Sequence, residues 1–290
     1  MTTKDIKLSY SSWSNYLQCP KKYKLRKVEG WSTKAVSSPL FFGSAFDQAL
    51  NRMLGDHQMG AVRDVKSYCL TFDRYWCKAK ITSTDIKLSE HEYLEFKKTD
   101  FDSSFLTPKD EERALSQEHL TWLCMRRKGH RMLEVYMKEL LPKIKRVISF
   151  QKEEILQSTG GDALHGFIDL IAELQDGKTY IIDNKTSAKK YTEAQAQISP
   201  QLMNYCNFTG IKDVAFFVVT KTKNPEAQII YGKPTENSKD LMMTSMEEVV
   251  HAIKAEVFPP NVNACFGQYG KCEYYDLCHK KDTSSLYKKK

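Results

Sequence analysis

Residues 166–185 run GFIDLIAELQDGKTYIIDNK. Two apolar runs meet at Gln175-Asp176-Gly177, and a tight Asp-Gly turn between such runs predicts a β-hairpin. Strand side chains alternate with period two, which puts Asp169 on one side with Phe167 and Ile171, and Asp183 and Lys185 on one side with Ile181. Ionisable groups thus interrupt surfaces that should be apolar. A buried carboxylate is costly unless it is paired or bound to a metal, so Asp169 and Asp183 beside Lys185 suggest a cation site with a basic group next to it. A half-exposed hairpin carrying a surface ion pair fits the same residues, because exposed pairs are nearly neutral in energy.

The spacing of Asp169, thirteen residues, then Asp183-Asn184-Lys185 resembles the Asp…(Asp/Glu)-x-Lys signature of the PD-(D/E)XK nuclease superfamily. That resemblance implies a restriction-endonuclease-like α/β fold, a mixed central sheet flanked by helices. The hairpin read by itself does not choose between a cation site and an ion pair, and the rest of the chain supplies the context.

The chain has 290 residues, 41 % of them hydrophobic, enough for a well-buried core. No apolar run approaches the roughly 20 residues needed to span a bilayer, and the start, Met1-Thr2-Thr3-Lys4-Asp5, lacks the apolar segment of a secretion signal. The expectation is a soluble, cytoplasmic protein without a membrane partner. In a reducing compartment its 8 cysteines are expected as thiols or metal ligands rather than disulfides. A net charge of +8 favours a polyanionic partner, and part of the excess sits in a basic tail over 281–290.

Leu8 to Pro20 reads as a short strand or loop followed by a helix, with Ser11 or Ser12 as N-cap, Trp13, Tyr16 and Leu17 as an apolar stripe, and Pro20 as the stop. Cys19 then sits at a helix end beside Lys21, Lys22, Lys24, Arg26 and Lys27, where a small buried residue is the ordinary role for a free cysteine. The run Ser-x-Ser…Cys-Pro-Lys-Lys-Tyr is similar to the amino-terminal element of RecB-type and AddB-type nucleases that carry an iron-sulfur cluster, which implies that Cys19 is their first cluster ligand. In residues 41–54, FFGSAFDQALNRML, Phe46, Leu50 and Leu54 share a helical face. The same family reads Gly-x-x-x-His here with histidine as a metal ligand. Gly43 matches, and Asp47 stands where the histidine would be. An aspartate is a harder donor, which favours magnesium over manganese. It equally suits a solvated helix position.

From 60 to 142 the chain reads as a polar helical insert anchored by Leu70, Phe72, Tyr75, Trp76, Leu120, Trp122, Leu123, Met132, Leu133, Val135 and Tyr136, with irregular, charged sequence over 83–109. No catalytic constellation is visible there, and Cys69, Cys77, Cys124, His57, His91, His119 and His130 show no ligand spacing. The run from Arg126 to Arg131 reads as a solvated face or a phosphate contact. Val147 to Leu156 reads as a strand with Glu154 in phase with Ile148, Phe150 and Leu156, and so facing the same interior as Asp169, with Glu153 opposite.

After Lys185 a polar loop is expected up to Ser199. Serine as N-cap, Pro200 at the first helical position and Gly210 past the end punctuate a short helix, which puts Gln201 and Tyr205 on one face. They match the Gln-x-x-x-Tyr motif of the family, which implies contact with substrate. Val214 to Thr220 reads as a buried strand, Ala227 to Tyr231 as another, and Ser238 to Val257 as a helix, so the elements argue for an α/β core with a mixed sheet.

Residues 265–278, CFGQYGKCEYYDLC, place Cys265, Cys272 and Cys278 close together in sequence and short of a fourth ligand. The gaps are wider than those of a zinc ribbon, which does not by itself exclude zinc. The resemblance to iron-sulfur nucleases implies that Cys19 completes a four-thiolate set for a 4Fe-4S cluster, a clasp joining the two ends of the fold, although many relatives have only two residues in the first gap. His279 is an alternative ligand. Taken together, the resemblance implies a single nuclease domain over 1–290, with the insert at 60–142 and the cysteine-rich region at 258–280. It implies a RecB-type, metal-dependent DNA exonuclease acting on single strands or free ends in repair, recombination or replication, with a helicase or recombinase as possible partner. By the same resemblance Asp47, Asp169, Asp183 and the carbonyl of Asn184 hold Mg2+ or Mn2+, and Lys185, Gln201 and Tyr205 serve the chemistry. The alternative is a silent DNA-binding or scaffold subunit that keeps the fold and the cluster.

Overall fold

The structure, a computed structural model, describes residues 6–34, 38–82, 118–157, 162–267 and 270–289, with side chains for all of these but 77–82, 118–123 and 157. The expectations for 83–109, for His91, and for the side chains of Cys77, His119, Leu120, Trp122 and Leu123 lie outside the described residues. In chain order the elements begin with β1 (Lys7–Ser9), α1 (Tyr10–Gln18), α2 (Pro20–Tyr23) and β2 (Trp31–Thr33). Then come α3 (Ser38–Gln58), α4 (Val65–Thr82), α5 (Glu118–Val135), β3 (Ile144–Gln157), β4 (Ala163–Leu174) and β5 (Thr179–Ser187). They are followed by α6 (Glu193–Gln197), α7 (Pro200–Thr209), β6 (Val214–Thr220), β7 (Ala227–Gly232) and α8 (Glu236–Lys254). The chain closes with β8 (Phe266–Gly267), β9 (Gly270–Lys271), α9 (Tyr275–Lys280) and β10 (Leu286–Lys288).

Six strands form a mixed sheet, the restriction-endonuclease-like arrangement the sequence implies. The hairpin of β4 and β5 is at its centre, closed by a turn in which Gly177 adopts φ +80°, a conformation glycine takes without strain. β3 runs antiparallel along one edge of β4. Along the other edge β1 pairs parallel with Ala163–His165, and β5 pairs antiparallel from Leu170 to Glu173. Among the described residues, 166–169 have no strand partner on that second edge, because β5 leaves β4 after the Leu170–Ile182 pair and continues beside β6 alone. The sheet therefore forks at Asp169 and Asp183.

Helices cover both faces. On one, α3, α4 and α5 pack Phe42, Phe46, Leu50, Phe72, Trp76 and Met132 onto Leu170, Ile182 and Phe217. On the other, Leu202, Tyr205 and Cys206 of α7 cover Ile168, Ile181 and Phe216, and α8 extends the layer to Leu8 and Tyr16. Each such side chain stabilises the fold by about 1.5–3 kcal/mol through the apolar area it removes from water. β6 lies between these layers with every residue buried, which is why its sequence is apolar throughout and does not alternate.

Four sequence expectations are corrected. Alternation breaks at the fork: Gln151 has φ +48°, and Ile168 and Leu170, two residues apart, join the cores on opposite faces. Phe150 faces α3, where a Cβ on Gly55 would lie 3.4 Å from its ring, while Glu154 pairs with Gly166 on the face of α7. Glu154 therefore does not join Asp169; it holds Lys152 at 2.6 Å. In the insert, Arg126 and His130 are buried rather than solvated, and both bind Asp73 of α4, through Arg126 Nε at 2.8 Å and His130 Nε2 at 2.9 Å. The loop after Lys185 contains α6, started by a capping box in which Thr192 N–H donates to Gln195 Oε1 at 2.7 Å. Ser9, not Ser11 or Ser12, is the N-cap of α1, and Pro20 both follows α1 and opens α2.

The two ends of the chain meet. β2 and β10 pair antiparallel, Lys21 N–H donates to Pro259 O at 3.3 Å, and Leu25, Tyr274 and Leu286 form a small core between them. No helix of the described residues is long and apolar enough to cross a membrane.

Candidate active site

The fork in the sheet gathers most of the residues singled out in the sequence. Asp183 is fully buried, and apart from one ion pair neither carboxylate oxygen has a hydrogen-bond partner among the described residues. Its charged partner is Lys185, whose Nζ lies 2.5 Å from Oδ2. Burial would lower the Lys185 ammonium, but the charge of Asp183 and its hydrogen bond, with Asp169 behind them, outweigh that and hold it protonated well above the usual range. Asp169 accepts from Asn184 N–H through Oδ2 at 3.0 Å, which fixes the two strands where their ladder has ended. Burial first, then the charges of Asp183 and Asp47, push the Asp169 carboxyl well above the carboxylate range against the pull of Lys185.

Asp47 is presented by α3. Its position is exposed, but desolvation by the protein around its carboxyl, with the charge of Asp183, raises that carboxyl to about 6 against the opposing charges of Lys185 and Lys221. Asp47, Asp169 and Asp183 therefore lie close enough to repel one another, with the Lys185 ammonium acting on both Asp47 and Asp169 and Lys221 acting on Asp47. A buried carboxylate whose described partner is a single ammonium, with two other carboxyls raised beside it, offers oxygen donors of the kind a hard divalent cation takes. The donors fit such a cation in chemical kind, but among the described residues no group of three or more His, Cys, Asp and Glu stands in metal-holding geometry.

Lys185 is also tied to α7. Its Nζ donates to Gln201 Oε1 at 3.0 Å, Gln201 Nε2 donates to the Tyr205 hydroxyl at 2.9 Å, and that hydroxyl donates to Phe167 O at 2.7 Å. Phe167 lies in the stretch of β4 that, among the described residues, has no strand partner on the edge away from β3. The helix is placed by its caps: Ser199 Oγ accepts from Leu202 N–H at 3.3 Å, and Gly210 ends it at φ +71°. Gly166 lets it approach, since a Cβ there would lie 2.9 Å from the Tyr205 ring.

Sequence reasoning missed four neighbours. Tyr136, beyond the end of α5, is fully buried and donates its hydroxyl to Asn184 Oδ1 at 3.0 Å; burial, then Asp169, raise its pKa. Tyr10 at the start of α1 and Tyr191 before α6 feel the charges of Lys185 and Asp183 or of each other, and Lys221 feels Asp47. These come from four distant parts of the chain, and no local pattern marks them.

The cysteines occupy a second place. Cys19, Cys265, Cys272 and Cys278 line one cavity of about 210 Å3, together with His279 and Lys21. Cys19 Sγ accepts from Asn261 N–H at 3.4 Å, and Cys265 Sγ lies 3.5 Å from His279 Nε2. Burial raises the Cys272 and Cys278 thiols. The thiols face a common space without converging to bonding distances, so a bound cluster is not shown; their number and softness fit iron-sulfur or zinc chemistry. Cys69 and Cys206 are buried elsewhere, with thiols raised to about 12 and about 11 by burial.

Two solved structures are similar in part: one described as "Putative exonuclease" from Eubacterium rectale, with 15% identity, a TM-score of 0.46, and 98% of this chain and 90% of that one covered. The other is SSO0001, with 15% identity, a TM-score of 0.30, and 61% and 84% covered. No curated protein matches the chain. The family model of the PD-(D/E)XK nuclease superfamily matches residues 7–279, nearly the whole length, and the chain belongs to that superfamily.

Proposed function

We propose that the protein is a metal-dependent deoxyribonuclease of the RecB-type exonuclease group, acting on single-stranded DNA or DNA ends in repair, recombination or replication, in a cellular cytoplasm. The observation that carries this is Asp183, fully buried, with the Lys185 ion pair as the one partner of its carboxylate among the described residues. Asp47, Asp169, Asp183 and the carbonyl of Asn184 would hold one or two Mg2+ or Mn2+ ions. Such an ion polarises a phosphodiester and lowers the pKa of an attacking water. Lys185 serves as an ammonium. Held protonated by Asp183, it donates one hydrogen bond to Gln201 and another to Asp183, and presents its third proton to the attacking water or a phosphoryl oxygen. Gln201 and Tyr205 fix that direction through the Phe167 carbonyl and position the strand.

Cys19, Cys265, Cys272 and Cys278 would hold a 4Fe-4S cluster with a structural role. The closure of the two chain ends around the same cavity supports it. Iron and sulfide in the purified protein, with absorbance in the visible, is the expected result; zinc without iron selects the zinc clasp instead. A helicase or recombinase partner would suit a nuclease of this group.

The test is cleavage of end-labelled single- and double-stranded DNA with and without magnesium. Progressive shortening that EDTA stops, and that Asp183→Asn abolishes, is expected. Asp47 favours a second reading, because it stands where the related nucleases carry histidine: a subunit that binds DNA without turnover. Tight binding with no cleavage in either magnesium or manganese selects that reading.

A further inference from the structure

The joined chain ends form a second concave surface away from the carboxylates. It is a groove of about 550 Å3, and its lining includes Lys21, Lys281 and Lys288, the rings of Trp31 and Phe258, and Glu29 as the one carboxylate. Glu29 accepts from Trp31 Nε1 at 3.3 Å, so its charge is turned to the indole. Lys288 Nζ rests 4.9 Å from the centre of the Trp31 ring, and Lys281 and Lys288 are exposed. Cations around an aromatic face in a groove are what a polynucleotide backbone and its bases require together: ammonium groups for phosphates, and a ring for a base to stack on. Lys288 covers that ring by a cation–π contact of the weak, exposed kind, which a base can displace while the ammonium turns to a phosphate.

The groove begins just past the end of α1, at Lys21. Tyr10, at the start of that helix, feels Lys185 and Asp183, and Cys19 follows its end, two residues before Lys21. A helix of 9 residues spans roughly 14 Å at about 1.5 Å per residue, a distance a few nucleotides cover. We propose that the groove of Lys21, Trp31, Lys281 and Lys288 is a second binding site for single-stranded nucleic acid, which holds the strand at a distance from the bond being cut. The choice of polymer rests on the nuclease reading; the groove itself does not depend on turnover.

The test is fluorescence anisotropy of a labelled oligothymidylate of about 20 nucleotides with the full-length protein in EDTA, across a salt series, beside hydrolysis of bis-p-nitrophenyl phosphate in magnesium. Lys281→Glu with Lys288→Glu is expected to weaken oligonucleotide binding tenfold or more. It should flatten the slope of log affinity against log salt by about 1.4, two phosphate contacts at about 0.7 each on a single strand. Hydrolysis of the small diester should be unchanged. Trp31→Phe should remove any fluorescence quenching that accompanies binding. Lys66→Glu with Lys138→Glu, exposed lysines outside the groove, should leave the slope unchanged. Unaltered affinity and slope in the Lys281 and Lys288 variant, or an equal loss in the Lys66 and Lys138 variant, overturns the proposal. Absence of diester hydrolysis in the wild type would count against the nuclease reading alone, because the binding arm is still measured.

Discussion

Replacing Lys185 by methionine removes the charge while keeping the length of the side chain. Asp183 has 0% exposure and, among the described residues, its carboxylate has no other cation at contact distance, so the variant leaves a buried anion uncompensated. Truncating one partner of a buried pair costs about 3–5 kcal/mol. Lys185 is itself 29% exposed, which admits water in its place, and the lower figure of about 2–3 kcal/mol is appropriate. At about 2–4 °C per kcal/mol for a chain of this size, Tm in EDTA should fall by roughly 5–10 °C. Magnesium should then recover more stability in the variant than in the wild type, since the cation takes the place the ammonium left. Saturation at about 100 times Kd contributes about 2.7 kcal/mol. Circular dichroism melting in EDTA and in excess magnesium measures both effects. A variant that melts within about 2 °C of the wild type in EDTA, or equal magnesium shifts in both proteins, refutes the assignment of Lys185 as the counter-ion of Asp183.

Three further outcomes follow from the geometry. Asp47 and Asp169 have raised pKa values in the fold, so the folded protein holds protons that the unfolded chain has released; for Asp47 the stabilisation is complete below about 3.8 and lost as pH rises through about 6, and Asp169 acts in the same direction. Metal-free protein should therefore melt higher at pH 5 than at pH 7, and excess magnesium should reverse that order; an identical pH dependence with and without magnesium would contradict it. Tyr205→Phe removes the hydroxyl between Gln201 and the Phe167 carbonyl, at a cost of about 1–2 kcal/mol in positioning. Steady-state kinetics should show a kcat roughly tenfold lower with KM nearly unchanged, and a pure KM effect would assign the residue to substrate binding alone. Gly166→Ala puts a Cβ 2.9 Å from Tyr205 and 3.1 Å from Phe208, so α7 must shift; melting should report a loss of about 1–3 kcal/mol together with reduced cleavage, while Gly43→Ala, with open space at its Cβ, should leave both intact.

The hairpin was legible because a turn, a strand length and three misplaced charges all fall within twenty residues. The helix at Pro200 was equally plain from its caps, and spacing put Gln201 and Tyr205 on one face, which the fold then joins to Lys185. The break in alternation was not legible. It depends on Gln151 taking a left-handed conformation opposite Asp169, and in a sheet covered on both faces apolar residues appear in either phase. Glu154 was assigned to the wrong face for that reason. The charged run at Arg126 looked solvated because its partner, Asp73, lies on another helix. Tyr10, Tyr136, Tyr191 and Lys221 reach the site only through the tertiary fold, and their sequence neighbourhoods are ordinary.

The most direct measurement is the magnesium dependence of single-strand cleavage by purified wild type and Asp183→Asn, each first checked for folding by circular dichroism. The proposed function predicts end-labelled DNA shortened by the wild type in magnesium, no shortening in EDTA, and none by the variant under either condition. Cleavage by Asp183→Asn at the wild-type rate would contradict it.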